Sequence, residues 1–342
     1  MDATRPDAQA APGTDEIQFV REGAVARLFL ARPKAINALN LPMIKGISAL
    51  LNEWAGDDGV QTVTIEGAGE RGLCAGGDVV AVRRAHLEGE DHLLFFREEY
   101  DMDALLADYP KPVVAFQDGI VMGGGIGVSA FARHRLVTER SKIAMPETII
   151  GFFPDVGARW LLSRAPGELG TYLALTGATI GGADAIAAGL ADTQIDSGDW
   201  EALVARLAQG ESVPDDLGST PPPPLKAERA WIDECFAGDD AGAIVQRLEA
   251  HRAEGARQAA ELIRARSPIS VAVTLEGIRR AATMDTVREV LDQDLVLADH
   301  LVTTGDFDEG VRAQLVDKDR SPRWKHARVE DVTPAEVQAA FG

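Results

Sequence analysis

Apolar positions along this chain recur in two rhythms, and the switches between them outline the fold. Residues 17–20 and 25–30 are short apolar-rich runs that meet at Glu22-Gly23, which predicts two strands joined as a hairpin. From Met43 the spacing lengthens. Met43, Ile44, Ile47, Leu50, Leu51 and Trp54 fall on one helical face, with Asn40 placed as an N-cap and Pro42 in the first turn. Residues 60–66 alternate as a strand, a glycine-punctuated loop occupies 67–78, and a helical pattern follows. Residues 87–106 read as one long helix. Residues 113–116 then form a fourth strand, and Gly123-Gly124-Gly125 repeats the order of strand, loop and helix. Short strands are predicted at 136–138 and 142–144, after which Pro146 and Asp155 each stand where a helix can begin.

Beyond residue 225 the rhythm is helical. Residues 285–303 carry Val287, Val290, Leu291, Leu295, Leu297, Ala298 and Leu301 on one face, Gly305 is placed to stop that helix, and Thr333-Pro334-Ala335-Glu336 has the form of a capping box. Alternating strands and helices predict an α/β core. The expected organisation is an N-terminal tail over residues 1–15, a core over 16–212, and a linker with a helical C-terminal region over 213–342. The linker is marked by Ser219-Thr220 and the four prolines at 221–224.

With 342 residues, 46% of them hydrophobic, the chain can bury a large core. A formal charge of −20 argues against nucleic acid and anionic membranes as partners, because both need a basic face. Cys74 and Cys235 stand too far apart in sequence for metal-ligand spacing, and no disulfide framework is indicated. The first fifteen residues, with Asp2, Asp7 and Asp15, match neither a signal nor a transit peptide, and no apolar run reaches membrane-spanning length. A cytoplasmic, soluble protein is expected.

The candidate chemistry lies between Asp118 and Gly157. Adjacent glycines after a strand let backbone N–H groups approach an oxyanion or a phosphate. About twenty residues on, Glu147 and Asp155 sit among Ile149, Ile150, Phe152 and Phe153, where poor solvation is expected to raise their pKa values. Taken singly, each has a structural reading: Glu147 as a first-turn acid after Pro146, and Asp155 as the N-cap of a helix through Trp160. Gly125-Ile126-Gly127-Val128-Ser129-Ala130 fits a dinucleotide fingerprint only loosely, since Glu139 follows Gly127 by too few residues for the crossover helix. Ser129 lacks the glycine two positions on that a nucleophile elbow requires, and the six histidines show no triad or zinc spacing.

Together, Cys74-Ala75-Gly76-Gly77-Asp78, Met122-Gly123-Gly124-Gly125 and Pro146-Glu147 resemble the loops of the crotonase superfamily of acyl-CoA enzymes. The segments 32–40, 95–100 and 151–157, with Glu309-Gly310-Val311-Arg312-Ala313 and Asp317-Lys318-Asp319, are similar to the 3-hydroxyisobutyryl-CoA hydrolase family. The resemblance implies a crotonase-like spiral of ββα units with a helical C-terminal region. It implies an oxyanion hole from the N–H groups of Gly77 and Gly124, Glu147 as the principal catalytic carboxylate, Asp155 and Glu99 at substrate-contacting positions, and Arg32 and Lys34 as CoA-phosphate ligands. Solvated surface charge is the competing reading for those two cations. The expected substrate is a short 3-hydroxyacyl-CoA thioester, hydrolysed without metal or redox cofactor. Hydratases of the superfamily carry a second glutamate where Gly127 stands here, so hydration or isomerisation ranks second, and a non-catalytic acyl-CoA binder third. A trimer-based assembly and a monomer are both compatible with the resemblance.

Overall fold

The computed structural model describes residues 7–342, which cluster into two compact units interleaved along the chain. Of the described residues, the first comprises 7–77, Glu98–Ile143 and Ile180–Pro223; the second comprises Asp78–Arg97, Ala144–Thr179 and Pro224–Gly342.

The first unit is built on a seven-stranded sheet in the order β1 (Gln9–Ala11), β2 (Thr14–Glu22), β3 (Val25–Leu30), β4 (Thr62–Gly67), β5 (Val113–Gln117), β7 (His134–Val137), β9 (Thr193–Gln194). A second, two-stranded sheet pairs β6 (Ile120–Met122) with β8 (Lys142–Ala144). The predicted hairpin is present, with Glu22 opposite Val25. From β3 to β9 the pairing is parallel, so each connection must be a crossover. Between β3 and β4 that crossover is the helix Leu41–Ala55, whose Met43, Ile44, Ile47, Leu50, Leu51 and Trp54 are buried. The Asn40 side chain accepts from the Met43 N–H at 3.0 Å, as its position predicted. On one side of the sheet Val25, Val114 and Leu136 pack against Trp200, Leu203, Val204 and Leu207 of the helix Trp200–Ala208.

Into that apolar layer the chain inserts a charge. Arg27 on β3 donates to both oxygens of Glu66 at 2.8 and 2.6 Å and to both oxygens of Glu201 at 2.8 Å. Glu66 also accepts from Thr64 Oγ1 at 2.7 Å and Trp200 Nε1 at 2.8 Å. A guanidinium this buried survives only because every donor direction near it finds a carboxylate.

Residues 1–6 of the expected tail lie outside the described residues. The remainder is not a tail: Gln9–Ala11 pairs antiparallel with β2, which begins at Thr14. Backbone pairing across the Gly13 turn, where φ is +81°, orders a stretch whose small and polar side chains gave no strand signal.

The second unit is helical. The helical pattern expected after the 67–78 loop is Val79–Glu88, and the helix expected over 87–106 starts only at Leu93 and runs to Ala107. Gly89 causes the break: at φ +72° its N–H closes the first helix on the Ala85 and His86 carbonyls, and Asp91 Oδ1 then accepts from the Leu93 N–H. Phe96, Phe152, Phe153 and Phe307 form an aromatic cluster, with Phe96 and Phe152 stacked at 5.2 Å between centroids. Pro268–Ala281 is buried along most of its length, and Arg266, just before it, donates to the Thr176 carbonyl at 3.0 and 2.6 Å. Contacts of this kind group Ala144–Thr179 with the C-terminal helices, where the linear division at residue 212 put them with the core. The helix Val287–Thr303 and the Thr333 capping box match expectation. Residues 210–223 form neither helix nor strand, and Ser219 pairs with Gln194 through two backbone hydrogen bonds of 2.8 Å. Among the described residues, no helix is long and apolar enough to cross a membrane.

Candidate active site

In the strand-rich unit, the two glycine loops and the early loop before them are woven together mostly by backbone. Leu39 N–H donates to the Gly76 carbonyl at 2.8 Å, Ala75 N–H to Ile36 at 3.0 Å, Cys74 N–H to Ile120 at 3.1 Å and Met122 N–H to Cys74 at 2.9 Å. Gly124 opens the helix Gly124–Ala130, so its N–H has no acceptor within that helix. Among the described residues, no backbone carbonyl outside the regular elements accepts from Gly77 or Gly124. A Cβ added at Gly124 would lie 3.4 Å from the carbonyl carbon of Gly76, the atom bonded to the Gly77 nitrogen. The two expected donors are therefore neighbours.

Glu99 is brought to the same place. It is buried in the helix Leu93–Ala107, and its Oε1 would stand 2.6 Å from that added Cβ. The adjacent Cys74 thiol donates to the Gly76 carbonyl at 3.4 Å. Burial pushes that thiol up to about 12, and the charge of Glu99 adds to the effect. Cys74 is thus a protonated, inert packing residue and no nucleophile.

The two cations of the early loop divide. Arg32 Nη1 donates to the Ala38 carbonyl at 3.1 Å, its Nε lies 3.4 Å from Glu16, and its backbone N–H donates to Asn37 Oδ1 at 3.0 Å. Asn37, in the left-handed region at φ +54°, is buried and donates to the Ala68 and Gly72 carbonyls. Arg32 is therefore a loop-holding residue first, whereas Lys34 is exposed. Ser129 packs as expected, donating to the Gly125 carbonyl at 2.6 Å, and Glu139 accepts from Ser197 Oγ at 2.6 Å. A cavity of about 390 Å³ elsewhere in this unit, beside Arg27, Phe116 and Trp200, is lined by none of the expected site residues.

In the helical unit, Glu147 is 7% exposed and begins the 3-10 turn Glu147–Ile150, so the first-turn reading holds. The turn is pinned at both ends: Ser267 N–H donates to the Thr148 carbonyl at 3.1 Å, and Gly151, at φ +75°, lies so close to Asp306 that a Cβ would fall on its backbone. From the other side, a Cβ at Gly310 would stand 2.6 Å from Ile150 Cα. Asp155 is 5% exposed, with Phe152 at 2% and Phe153 at 0%. It does not cap a helix. The next helix is Ala158–Leu162, its N-cap is Gly157 without a side-chain cap bond, and Asp155 instead opens a turn in which its carbonyl accepts from the Ala158 N–H at 2.8 Å. Val156 and Gly157 occupy the left-handed region at φ +52° and +70°, which pushes the helix start two residues past the predicted cap.

Among the described residues, no cluster of three or more His, Cys, Asp or Glu side chains is arranged to hold a metal ion. The first unit thus offers backbone donors beside one buried carboxylate, Glu99, and the second offers two buried carboxylates on constrained turns.

Residues 25–341 match the family described as enoyl-CoA hydratase/isomerase. The chain is 36% identical to the Rattus norvegicus protein named 3-hydroxyisobutyryl-CoA hydrolase, mitochondrial, over 96% of this chain and 89% of that one. The Danio rerio protein of the same name is 37% identical over 95% and 89%. The solved structure described as an enoyl-CoA hydratase from Rhodobacter sphaeroides 2.4.1 superposes with a TM-score of 0.91 at 40% identity, over 95% of this chain and 97% of that one. One described as a carnitinyl-CoA dehydratase from Mycobacterium thermoresistibile superposes at 0.88 with 43% identity, over 96% and 97%.

Proposed function

Because the chain belongs to the enoyl-CoA hydratase/isomerase family and has the crotonase fold, we propose that it hydrolyses a short 3-hydroxyacyl-CoA thioester, with 3-hydroxyisobutyryl-CoA the first candidate. The products are the hydroxy acid and CoA, a step of valine breakdown. The observation that carries this reading is the helix Gly124–Ala130, which contains no acid: Gly127 stands where hydratases of the superfamily hold their second glutamate. Addition of water to a double bond needs one group to deliver and another to accept a proton, whereas cleavage of a thioester can proceed with one principal carboxylate. The curated relatives named 3-hydroxyisobutyryl-CoA hydrolase support the same choice.

In the proposed reaction, the N–H groups of Gly77 and Gly124 receive the thioester oxygen as it becomes an oxyanion, each worth roughly 3 kcal/mol. Glu147 either attacks the carbonyl carbon, giving an anhydride that water then opens, or removes a proton from the water that attacks. In both routes the carbon–sulfur bond breaks and the thiolate leaves to take up a proton. Asp155 and Glu99 hold the substrate hydroxyl and move protons. Lys34 meets the CoA phosphates, with Arg32 shaping the loop that presents it. The proposal requires no metal or redox cofactor.

Hydration is the second reading, favoured by the names of the two solved relatives at 40% and 43% identity. Thiol release from 3-hydroxyisobutyryl-CoA, run beside hydration of crotonyl-CoA, decides between them. CoA release with little hydration is expected; rapid hydration without release reverses the ranking, and binding without turnover of either leaves an acyl-CoA-binding homologue. A cytoplasmic address is likewise proposed, and co-fractionation with mitochondrial markers, as the names of the curated relatives suggest for them, would overturn it.

A further inference from the structure

The turn that carries Asp155 is gripped by a charge pair drawn from a distant helix. Arg159 and Asp294 are both fully buried, and Arg159 Nε donates to Asp294 Oδ1 at 2.9 Å, with Nη2 on the same oxygen. The other oxygen, Asp294 Oδ2, accepts from the Gly157 N–H at 2.9 Å. The guanidinium lies 5.4 Å from the Phe153 ring centroid, and its Nη1 donates to Gln293 Oε1 at 2.8 Å. Gly277 makes room for it, since a Cβ there would stand 2.5 Å from Nη1. The pair therefore touches the chain on both sides of Asp155, at Phe153 and at Gly157.

Between those two points the backbone is in a conformation it would not choose. Val156, β-branched and buried, sits at φ +52°, followed by Gly157 at +70°. Two successive left-handed residues bridged from Asp155 to Ala158 make a turn that favours glycine and asparagine, so a valine there must be held from outside. Asp294 supplies the hold.

We infer that Arg159 and Asp294 are positioning residues for the proposed reaction: they fix the direction of the Asp155 carboxylate by clamping the turn at residues 153–157. This rests on the role proposed for Asp155. A pair that only stabilised the fold would be dispensable once replaced by apolar side chains of similar size, a replacement that buried pairs tolerate well. A clamp would not be.

The test is the double replacement Arg159→Met/Asp294→Leu, with thiol release measured on the wild type first. We expect a folded protein with near-wild-type melting, a kcat lowered about 10- to 100-fold, and KM within about twofold. In an Asp155→Asn background the same double replacement should add less than about twofold, because the group being aimed is already altered. Wild-type kcat in the folded double variant, or the full loss repeated on Asp155→Asn, overturns the inference. Should the double variant fail to fold, Arg159→Lys keeps the charge but loses the fork over Phe153, and must show an intermediate kcat loss with the same dependence on Asp155. If the wild type releases no CoA, the proposed reaction falls while the clamp is still judged by crystallography of the variant: Val156 retained at positive φ without the pair would refute it.

Discussion

The loops around Gly77 and Gly124 and the turns around Glu147 and Asp155 are fixed by different means. The first are made of backbone: carbonyl and N–H groups pair between segments far apart in sequence, and glycines allow the chains to touch. The second are anchored by segments that follow more than a hundred residues later, through the Ser267 N–H, the close backbone approaches at Gly151 and Gly310, and the buried Asp294 carboxylate. A donor site built from amides carries no titratable group and needs little reorganisation, whereas a carboxylate must be aimed and therefore needs a scaffold. The difference predicts that substitutions in the first region act by steric intrusion, and those in the second through charge, aim or anchoring.

The largest effect should come from the charge itself. Glu147→Gln should lower kcat for thiol release by about 1000-fold or more while circular dichroism and melting stay near wild type; residual activity above about a tenth would remove Glu147 from its role. Gly124→Ala brings a methyl to within 2.6 Å of Glu99 Oε1 and 3.3 Å of Leu39 Cδ1, and should cost about 100-fold in kcat with a normal fold. Steric intrusion works in the helical unit too, but there it should be read as stability. Gly310→Ala meets backbone at Ile150, which cannot yield, and should lower unfolding free energy by about 2 kcal/mol in chemical denaturation.

Smaller effects sharpen the periphery. Lys34→Glu should raise KM several-fold with kcat nearly unchanged, and an unaltered KM would return Lys34 to plain surface charge. At the acid end, the hydrogen bonds from Arg264 hold the Glu330 carboxyl at about 2, below its ordinary 4.5. A depressed folded-state value means that this stabilisation is complete above about pH 4.5 and is lost as pH falls toward 2. Glu330→Gln should flatten that part of the acid-unfolding curve, and an unchanged slope would show the pair to be inert.

What the sequence made legible follows the range of the interaction. Asn40, the Glu22-Gly23 turn and the Thr333 capping box act within a few residues, and each is where local chemistry predicted. The helix expected from residue 87 begins only at Leu93, because left-handed Gly89 ends the preceding helix whatever the apolar rhythm. Asp155 was read as a cap because carboxylates before helices commonly are; nothing local announced that Asp294, 139 positions later, holds its turn open. The glycines behind the resemblance also have physical tasks that lie outside the motif itself. Gly310 admits the Ile150 backbone, and Arg312 ties Glu309, Asp317 and Asp319 into one knot while Lys318 and Arg320 sit at φ +59° and +56°. Strand β9 and the edge strand at Gln9–Ala11 were missed because pairing partners, not composition, define them.

The sealed thiols have a practical corollary. With Cys74 held protonated in the interior and Cys235 also buried, a chromogenic disulfide reagent added to the native protein has nothing on the polypeptide to react with promptly. Colour that develops during turnover therefore counts liberated CoA directly. The slow background from the protein itself becomes a clock for how often the interior opens.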